Sequence, residues 1–296
     1  MADPRTLFDS AAAKLRGVGA ARDLPGALEL FRQAAGAGRV DAAVIYCNLL
    51  AAGVGGPRRW NEALRLLAAL AEVNPRSRLE LERVEAMALT VDGDPVEVPR
   101  GELLCEAPAI TRFERLFCAE ECAWLASAGA PMLEPAVVID PATGRQRPDP
   151  VRVCDSVGFT WPLENPAIHA LNRRLAAASG TSPGQGEPLQ LLRYRPGGEY
   201  RPHFDSIPGF ANQRAMTMLV WLNDDYEGGE THFPTPRLKL KGRAGDAILF
   251  RNTGPDGRRD PAAGHSGLPV SAGEKLIASR WIRERPFEMP VGEVAQ

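Results

Sequence analysis

Four histidines occur in this 296-residue chain, His169, His203, His232 and His265, and one of them opens the triplet His203-Phe204-Asp205. In an extended strand, residues i and i+2 project to the same face, so an imidazole and a carboxylate at that spacing converge without backbone strain. One remote imidazole added to the pair gives three ligands on one face of an octahedral ion. That is the two-histidine, one-carboxylate arrangement of non-haem Fe(II) oxygenases, in which open positions take the co-substrate and O₂. His265, far downstream at the start of a short extended segment, is the candidate third ligand. A histidine-x-aspartate triplet alone recurs by chance, and a surface ion pair would look the same, so the surrounding residues decide.

Lys275 supplies part of that context. It opens the apolar run Lys275-Leu276-Ile277-Ala278-Ser279-Arg280-Trp281-Ile282, where alternation places Lys275, Ile277, Ser279 and Trp281 on one face. An ammonium directed into an apolar interior needs a compensating anion. A dicarboxylate chelating the metal at its other end would provide one. His232 is taken as a non-ligand, because a fourth protein donor would consume a position the chemistry needs. His169, on a polar helix, reads as structural or solvated.

The elements that must carry these groups are short strands. Glycine and proline form about a quarter of residues 181–273, about twice the usual share, which signals many strands joined by turns. Strands are expected at Gln190–Tyr194, Tyr200–Asp205, Ala215–Leu222, Thr231–Phe233, Leu238–Lys241, Ala247–Phe250, His265–Val270 and Lys275–Ile282, the last two pairing as an antiparallel hairpin. Upstream, residues 96–113 look extended, Val137–Ile139 reads as a strand and Asp140–Pro150 as a loop. Helices are expected over Cys118–Ala128 and Asn165–Ala178. The first hundred residues have apolar positions at helical spacing. Ala27, Leu28, Leu30, Phe31 and Ala35 recur as Ala63, Leu64, Leu66, Leu67 and Ala71, a period of about 36 residues that suits stacked helix pairs. The fold class is therefore α+β: an N-terminal α-helical repeat segment over residues 1–95, then a domain over 96–296 with a jelly-roll β core at about 187–285 and supporting helices.

The run Tyr194-Arg195-Pro196-Gly197-Gly198-Glu199-Tyr200-Arg201-Pro202-His203-Phe204-Asp205, then Tyr226-Glu227-Gly228-Gly229-Glu230-Thr231, then His265 followed by Lys275, closely resembles the prolyl 4-hydroxylase group of Fe(II)/2-oxoglutarate dioxygenases. Glu120-Glu121-Cys122 and Glu187-Pro188-Leu189-Gln190 resemble it too, and the N-terminal pattern resembles Sel1-like repeats, relatives of the tetratricopeptide fold. The resemblance implies a double-stranded β-helix in which His203, Asp205 and His265 hold Fe(II) and carry catalysis. It implies that Lys275 binds the distal carboxylate of 2-oxoglutarate, assisted by Thr231, Tyr194 and Tyr200, with Trp281 packing nearby. It gives Arg214 and Glu187 to the substrate. In a regular strand Tyr200 faces away from His203, so its role requires a bulge or bend after Gly197-Gly198. Arg283 stands where plant and algal members tend to place a substrate-contacting histidine, a departure that bears on proline specificity.

The implied activity is hydroxylation of a peptidyl side chain such as proline, coupled to decarboxylation of 2-oxoglutarate to succinate and CO₂. O₂ is the co-substrate and ascorbate an accessory reductant the family admits. The rivals are the same chemistry on a free amino acid, small metabolite or natural-product peptide, a zinc- or manganese-binding cupin-like protein, and a repeat-based binding scaffold. Lys and Arg (35) nearly balance Asp and Glu (37), which argues against nucleic acid or a membrane surface as partner. A peptide or protein substrate remains, with the repeats mediating protein contact or dimerisation. The N-terminal residues lack the pattern of a secretory signal. Five cysteines without CxxC spacing argue against a disulfide framework or structural zinc. A cytoplasmic location is expected.

Overall fold

The computed structural model describes residues 3–139, 146–148 and 151–290. The chain divides into two compact units, one of Met1–Glu97, Phe159–Arg174 and Glu288–Gln296, the other of Val98–Gly158 and Leu175–Phe287.

Five helices build the first unit: α1 (Pro4–Arg16), α2 (Leu24–Gly36), α3 (Val40–Ala52), α4 (Trp60–Ala71) and α5 (Pro75–Glu85). Each boundary has a local cause. The Asp3, Asp23 and Asn74 side chains accept backbone N–H groups at the starts of α1, α2 and α5, satisfying donors the helix itself cannot. Gly17 and Gly53 close α1 and α3 in left-handed conformations. Phe31, Leu49, Leu50, Trp60 and Leu67 are buried. The segment 159–174 is fastened to these helices: Asn48 donates to the Pro162 carbonyl at 2.7 Å, and Arg173 donates to the Gly93 carbonyl and pairs with Asp94. His169 lies here, buried, with Nδ1 2.8 Å from the Glu164 carboxylate, so it is structural. Among the described residues no helix is long and apolar enough to cross a membrane.

Two further helices are α6 (Ala119–Gly129) and α7 (Pro166–Ser179). Glu121 accepts the Cys118 N–H at 2.9 Å, so this acidic residue closes the start of α6.

The second unit rests on two main sheets. The larger has eight strands in the order Glu102–Glu106, Ala109–Phe113, Ala247–Arg251, Arg214–Trp221, Lys275–Arg283, Leu189–Tyr194, Asp155–Phe159, Glu134–Pro135. The smaller has five, in the order Leu238–Leu240, Thr231–Phe233, His265–Gly267, Glu199–His203, Arg152–Val153. Every described ladder whose register is resolved is antiparallel, as in the jelly-roll class. Side chains of both sheets, including Leu192, Ile277, Tyr200 and Thr231, line one cavity.

Three expectations are corrected. The segments beginning at His265 and Lys275 do not form a hairpin. His265–Gly267 pairs with Thr231–Phe233 and Glu199–His203, whereas Lys275–Arg283 pairs with Arg214–Trp221 and Leu189–Tyr194. Between them Val270–Ala272 pairs with Glu227–Gly228, so the chain passes from the smaller sheet to the larger. Second, the strand bearing His203 ends at that residue, leaving Asp205 just beyond it. Third, of the stretch read as a loop, Gln146–Pro148 is a strand paired with Val137–Ile139, while 140–145 and 149–150 lie outside the described residues.

Candidate active site

Ligand atoms of His203, Asp205 and His265 lie within 4.8 Å of one another. Pairing of His203 directly with His265 on adjacent strands brings the two imidazoles together, with ring centroids 4.3 Å apart. Asp205 presents Oδ1 3.6 Å from His203 Nε2 and Oδ2 3.7 Å from His265 Nε2, too far for hydrogen bonds. Both Nδ1 atoms face backbone carbonyls, His203 that of Arg201 at 2.8 Å and His265 that of Ala263 at 3.0 Å. A carbonyl can only accept, so each Nδ1 carries the proton and each Nε2 keeps its lone pair toward the cluster. His203 Nε2 is buried without a hydrogen-bond partner. An orphaned buried acceptor beside a second imidazole and a carboxylate is a donor set that fits a divalent cation, and its N₂O composition suits Fe(II).

The surroundings hold these donors in place. Thr217 Oγ1 donates to Asp205 Oδ2 at 2.6 Å and accepts from Asn252 Nδ2 at 2.9 Å, both residues being buried. Burial pushes the Asp205 carboxyl upward, but His265 and His203 beside it and the Thr217 bond outweigh burial and hold it below the usual range. Burial lowers the His265 pKa, as does His203, while Asp205 raises it. The His265 ring packs against Phe233 and Phe250.

Lys275 is buried on the larger sheet and lines the same cavity. Its Nζ donates to the Gly229 carbonyl at 2.6 Å and lies 5.4 Å from the Tyr194 ring centroid, and it makes no ion pair among the described residues. Burial draws its pKa down to about 8, Glu230 pulling the other way and Lys241 pushing further down. The Glu227-Gly228-Gly229 turn explains its glycines: both have positive φ, and a Cβ at Gly229 would meet Lys275 Cδ at 3.2 Å and Val270 Cγ2 at 3.0 Å. Tyr194, Thr231 and Trp281 line the cavity as well, with Tyr194 and Thr231 buried.

The parity problem at Tyr200 is resolved by the expected bulge. His265 faces His203, whereas Gly267 faces Tyr200, so four residues of one strand, 200–203, lie opposite three of its neighbour, 265–267. The extra residue turns Tyr200 inward, where its ring stacks on His203 at 3.5 Å between centroids. His232 projects away from this face and is no member of the cluster.

Glu187, Arg214 and Arg283 form a separate ionic group. Arg214 donates Nε and Nη2 to the two Glu187 oxygens at 2.6 and 2.8 Å, and Arg283 Nε lies 2.7 Å from Glu187 Oε1. The Arg214 guanidinium covers the Trp281 ring at 3.6 Å. Sequence reasoning missed Thr217, Asn252 and Arg152, the last of which lines the cavity. A hydroxyl inside the apolar run Ala215–Leu222 was the available signal for Thr217.

Two antiparallel sheets enclosing this donor cluster, with a buried ammonium facing the same space, fit the class of iron-dependent oxygenases that use a dicarboxylate co-substrate. Residues 189–283 match the 2OG-Fe(II) oxygenase superfamily. Prolyl 4-hydroxylase 1 of Arabidopsis thaliana is 34% identical over 203 residues, covering 62% of this chain and 72% of that protein. Prolyl 4-hydroxylase subunit alpha-1 of Gallus gallus is 31% identical over 193 residues, covering 62% and 37% respectively. Among solved structures, the viral collagen prolyl hydroxylase of Paramecium Bursaria Chlorella virus-1, in complex with 2OG, is similar with 28% identity and a TM-score of 0.49, over 61% of this chain and 98% of that one. The chain belongs to the 2OG-Fe(II) oxygenase superfamily, among its prolyl 4-hydroxylase-like members, and is an oxidoreductase.

Proposed function

We propose that the protein hydroxylates a peptidyl side chain, proline foremost, with His203, Asp205 and His265 holding Fe(II) and Lys275 holding the distal carboxylate of 2-oxoglutarate. The observation that carries this reading is the orphaned His203 Nε2 turned toward Asp205 and His265, with an unpaired buried ammonium lining the same cavity. Fe(II) with 2-oxoglutarate supplies the activation of O₂ and the decarboxylation to succinate and CO₂. The protein's part is orientation. The carbonyls of Arg201 and Ala263 fix both imidazole tautomers, Thr217 fixes the orientation of Asp205, and Leu192, Leu219 and Ile277 exclude water. Thr231, Tyr194 and Trp281 line the same cavity as Lys275.

Proline as the target follows from the names of the relatives. All groups assigned here fall in the second unit, which supports reading 96–296 as the oxygenase region and 1–95 as a helical accessory region. The Sel1-like reading of that region rests on the matching residues of α2 and α4, and its role is contact with a protein partner or a second copy. A cytoplasmic location remains part of this proposal.

The test is anaerobic addition of Fe(II) and 2-oxoglutarate to folded protein, watching for the weak visible charge-transfer band of chelation. The band is expected, and it should be lost in His203→Ala. Its absence from iron-loaded parent protein removes the 2-oxoglutarate assignment.

A further inference from the structure

Lys275 and Arg283 open and close one strand, and alternation carries the same face from Lys275 through Ile277, Ser279 and Trp281 to Arg283. Eight steps separate them, about 26 Å of extended chain. Lys275 therefore stands at the co-substrate end of this face and Arg283 at the opposite end, beyond Trp281. There Arg214 pairs directly with Arg283 across two antiparallel strands, the register slipping by one residue just after it. Like charges directly opposite repel. Glu187 bridges them, with Arg214 fork to fork and Arg283 by a single nitrogen, while Arg283 Nη1 donates to the Asn212 carbonyl at 2.8 Å. The charges do not balance: two guanidiniums that stay protonated share one carboxylate, and no second carboxylate pairs with either among the described residues. Arg283 is buried, and Phe210, itself 58% exposed, lies 5.7 Å from its guanidinium. A surplus buried charge is costly until an anion arrives.

We infer that Arg214 and Arg283 form a carboxylate socket beside Trp281, and that the hydroxylated molecule carries a carboxylate close to its reacting carbon. The inference deepens the proposed hydroxylase reading and rests on it. Two sources share this chemistry: an acidic side chain next to the target residue of a peptide, or the main-chain carboxylate of a C-terminal or free residue. A histidine at position 283 would supply at most a fractional charge at neutral pH, so Arg283 is the residue that sets this preference.

The experiment measures binding calorimetrically, under nitrogen, to protein loaded with Fe(II) and 2-oxoglutarate, using two acid–amide pairs. N-acetyl-Pro-Asp-amide against N-acetyl-Pro-Asn-amide reports a side-chain carboxylate, and N-acetylproline against its amide a main-chain one. At least one acid is expected to bind about tenfold or more tightly than its amide, and the pair that shows it names the source. In Arg283→Gln the ratio should fall toward one, and Arg283→Lys should restore most of it. Equal affinities in both pairs, no binding by any probe, or a ratio that survives Arg283→Gln overturns the socket. The comparison in the parent decides even where a variant fails to fold. Succinate formation, followed in parallel, separates this inference from the reading beneath it. Acid preference without succinate keeps the socket and discards the oxygenase, while turnover of amides as readily as acids does the reverse.

Discussion

The two ends of the Lys275–Arg283 strand differ in how far the chain compensates buried positive charge. At one end Lys275 has a backbone carbonyl and an aromatic face but no carboxylate, and its pKa is drawn down to about 8. At the other, Arg214 and Arg283 are bound to Glu187 at 2.6 to 2.8 Å. A cation matched by a carboxylate of its own chain contributes mainly to structure, and Glu187 can match only one of its two guanidiniums. One left without is disfavoured in the free protein and becomes a receptor for an anion. The metal cluster belongs with the first kind, since His203 Nε2 is also buried without a partner.

The contrast can be broken by substitution. The largest effect should come from the cluster: His203→Ala, Asp205→Ala or His265→Ala is expected to abolish substrate-dependent succinate formation. Retained turnover in any of the three rejects that ligand. Next, Lys275→Met should weaken 2-oxoglutarate binding by about a hundredfold, as expected on losing one partner of a buried charge pair, and titration of the anaerobic charge-transfer band measures it. Because the ammonium is the binding form, affinity in the parent should be level below pH 8 and fall by about tenfold per pH unit above it.

Stability sharpens the same comparison. The folded pKa of Lys275 lies below the ordinary lysine value of 10.5, so the unfolded chain binds the extra proton between about pH 8 and 10.5. This group therefore destabilises the ligand-free protein below pH 8, and the penalty is relieved as pH rises through that window. Lys275→Met should accordingly raise the free protein's stability at pH 7, by about 1–3 kcal/mol. Glu187→Gln should lower it by about 2 kcal/mol, leaving two guanidiniums facing each other. Chemical denaturation reads both, and like signs would remove the distinction. Smallest is Thr217→Val, expected to weaken Fe(II) affinity by about tenfold through loss of the bond to Asp205, with metal competition as the measurement.

The site was largely legible because its signals are local or carried by family motifs. His203-Phe204-Asp205 and the apolar run behind Lys275 declare their chemistry in adjacent residues, and the bulge at Tyr200 follows from parity once the family motif places that residue in the site. The hairpin was misread because Ser271-Ala272-Gly273-Glu274 has the composition of a tight turn, while strand partnership is set by packing far along the chain. The bond from Thr217 to Asp205 and the bridge from Arg283 to Glu187 were hidden for the same reason. Each joins residues whose proximity arises only once the sheets have formed. The helical unit gave up its helices readily, through the helical spacing of its apolar positions.

The passage of the chain from one sheet to the other between His265 and Lys275 has a mechanical meaning. The metal would be anchored chiefly on the smaller sheet and the ammonium on the larger, so a bound dicarboxylate acts as a rivet through the sandwich. Loading should slow amide hydrogen exchange in both layers together, and the rivet is sheared once in every turnover, when succinate leaves.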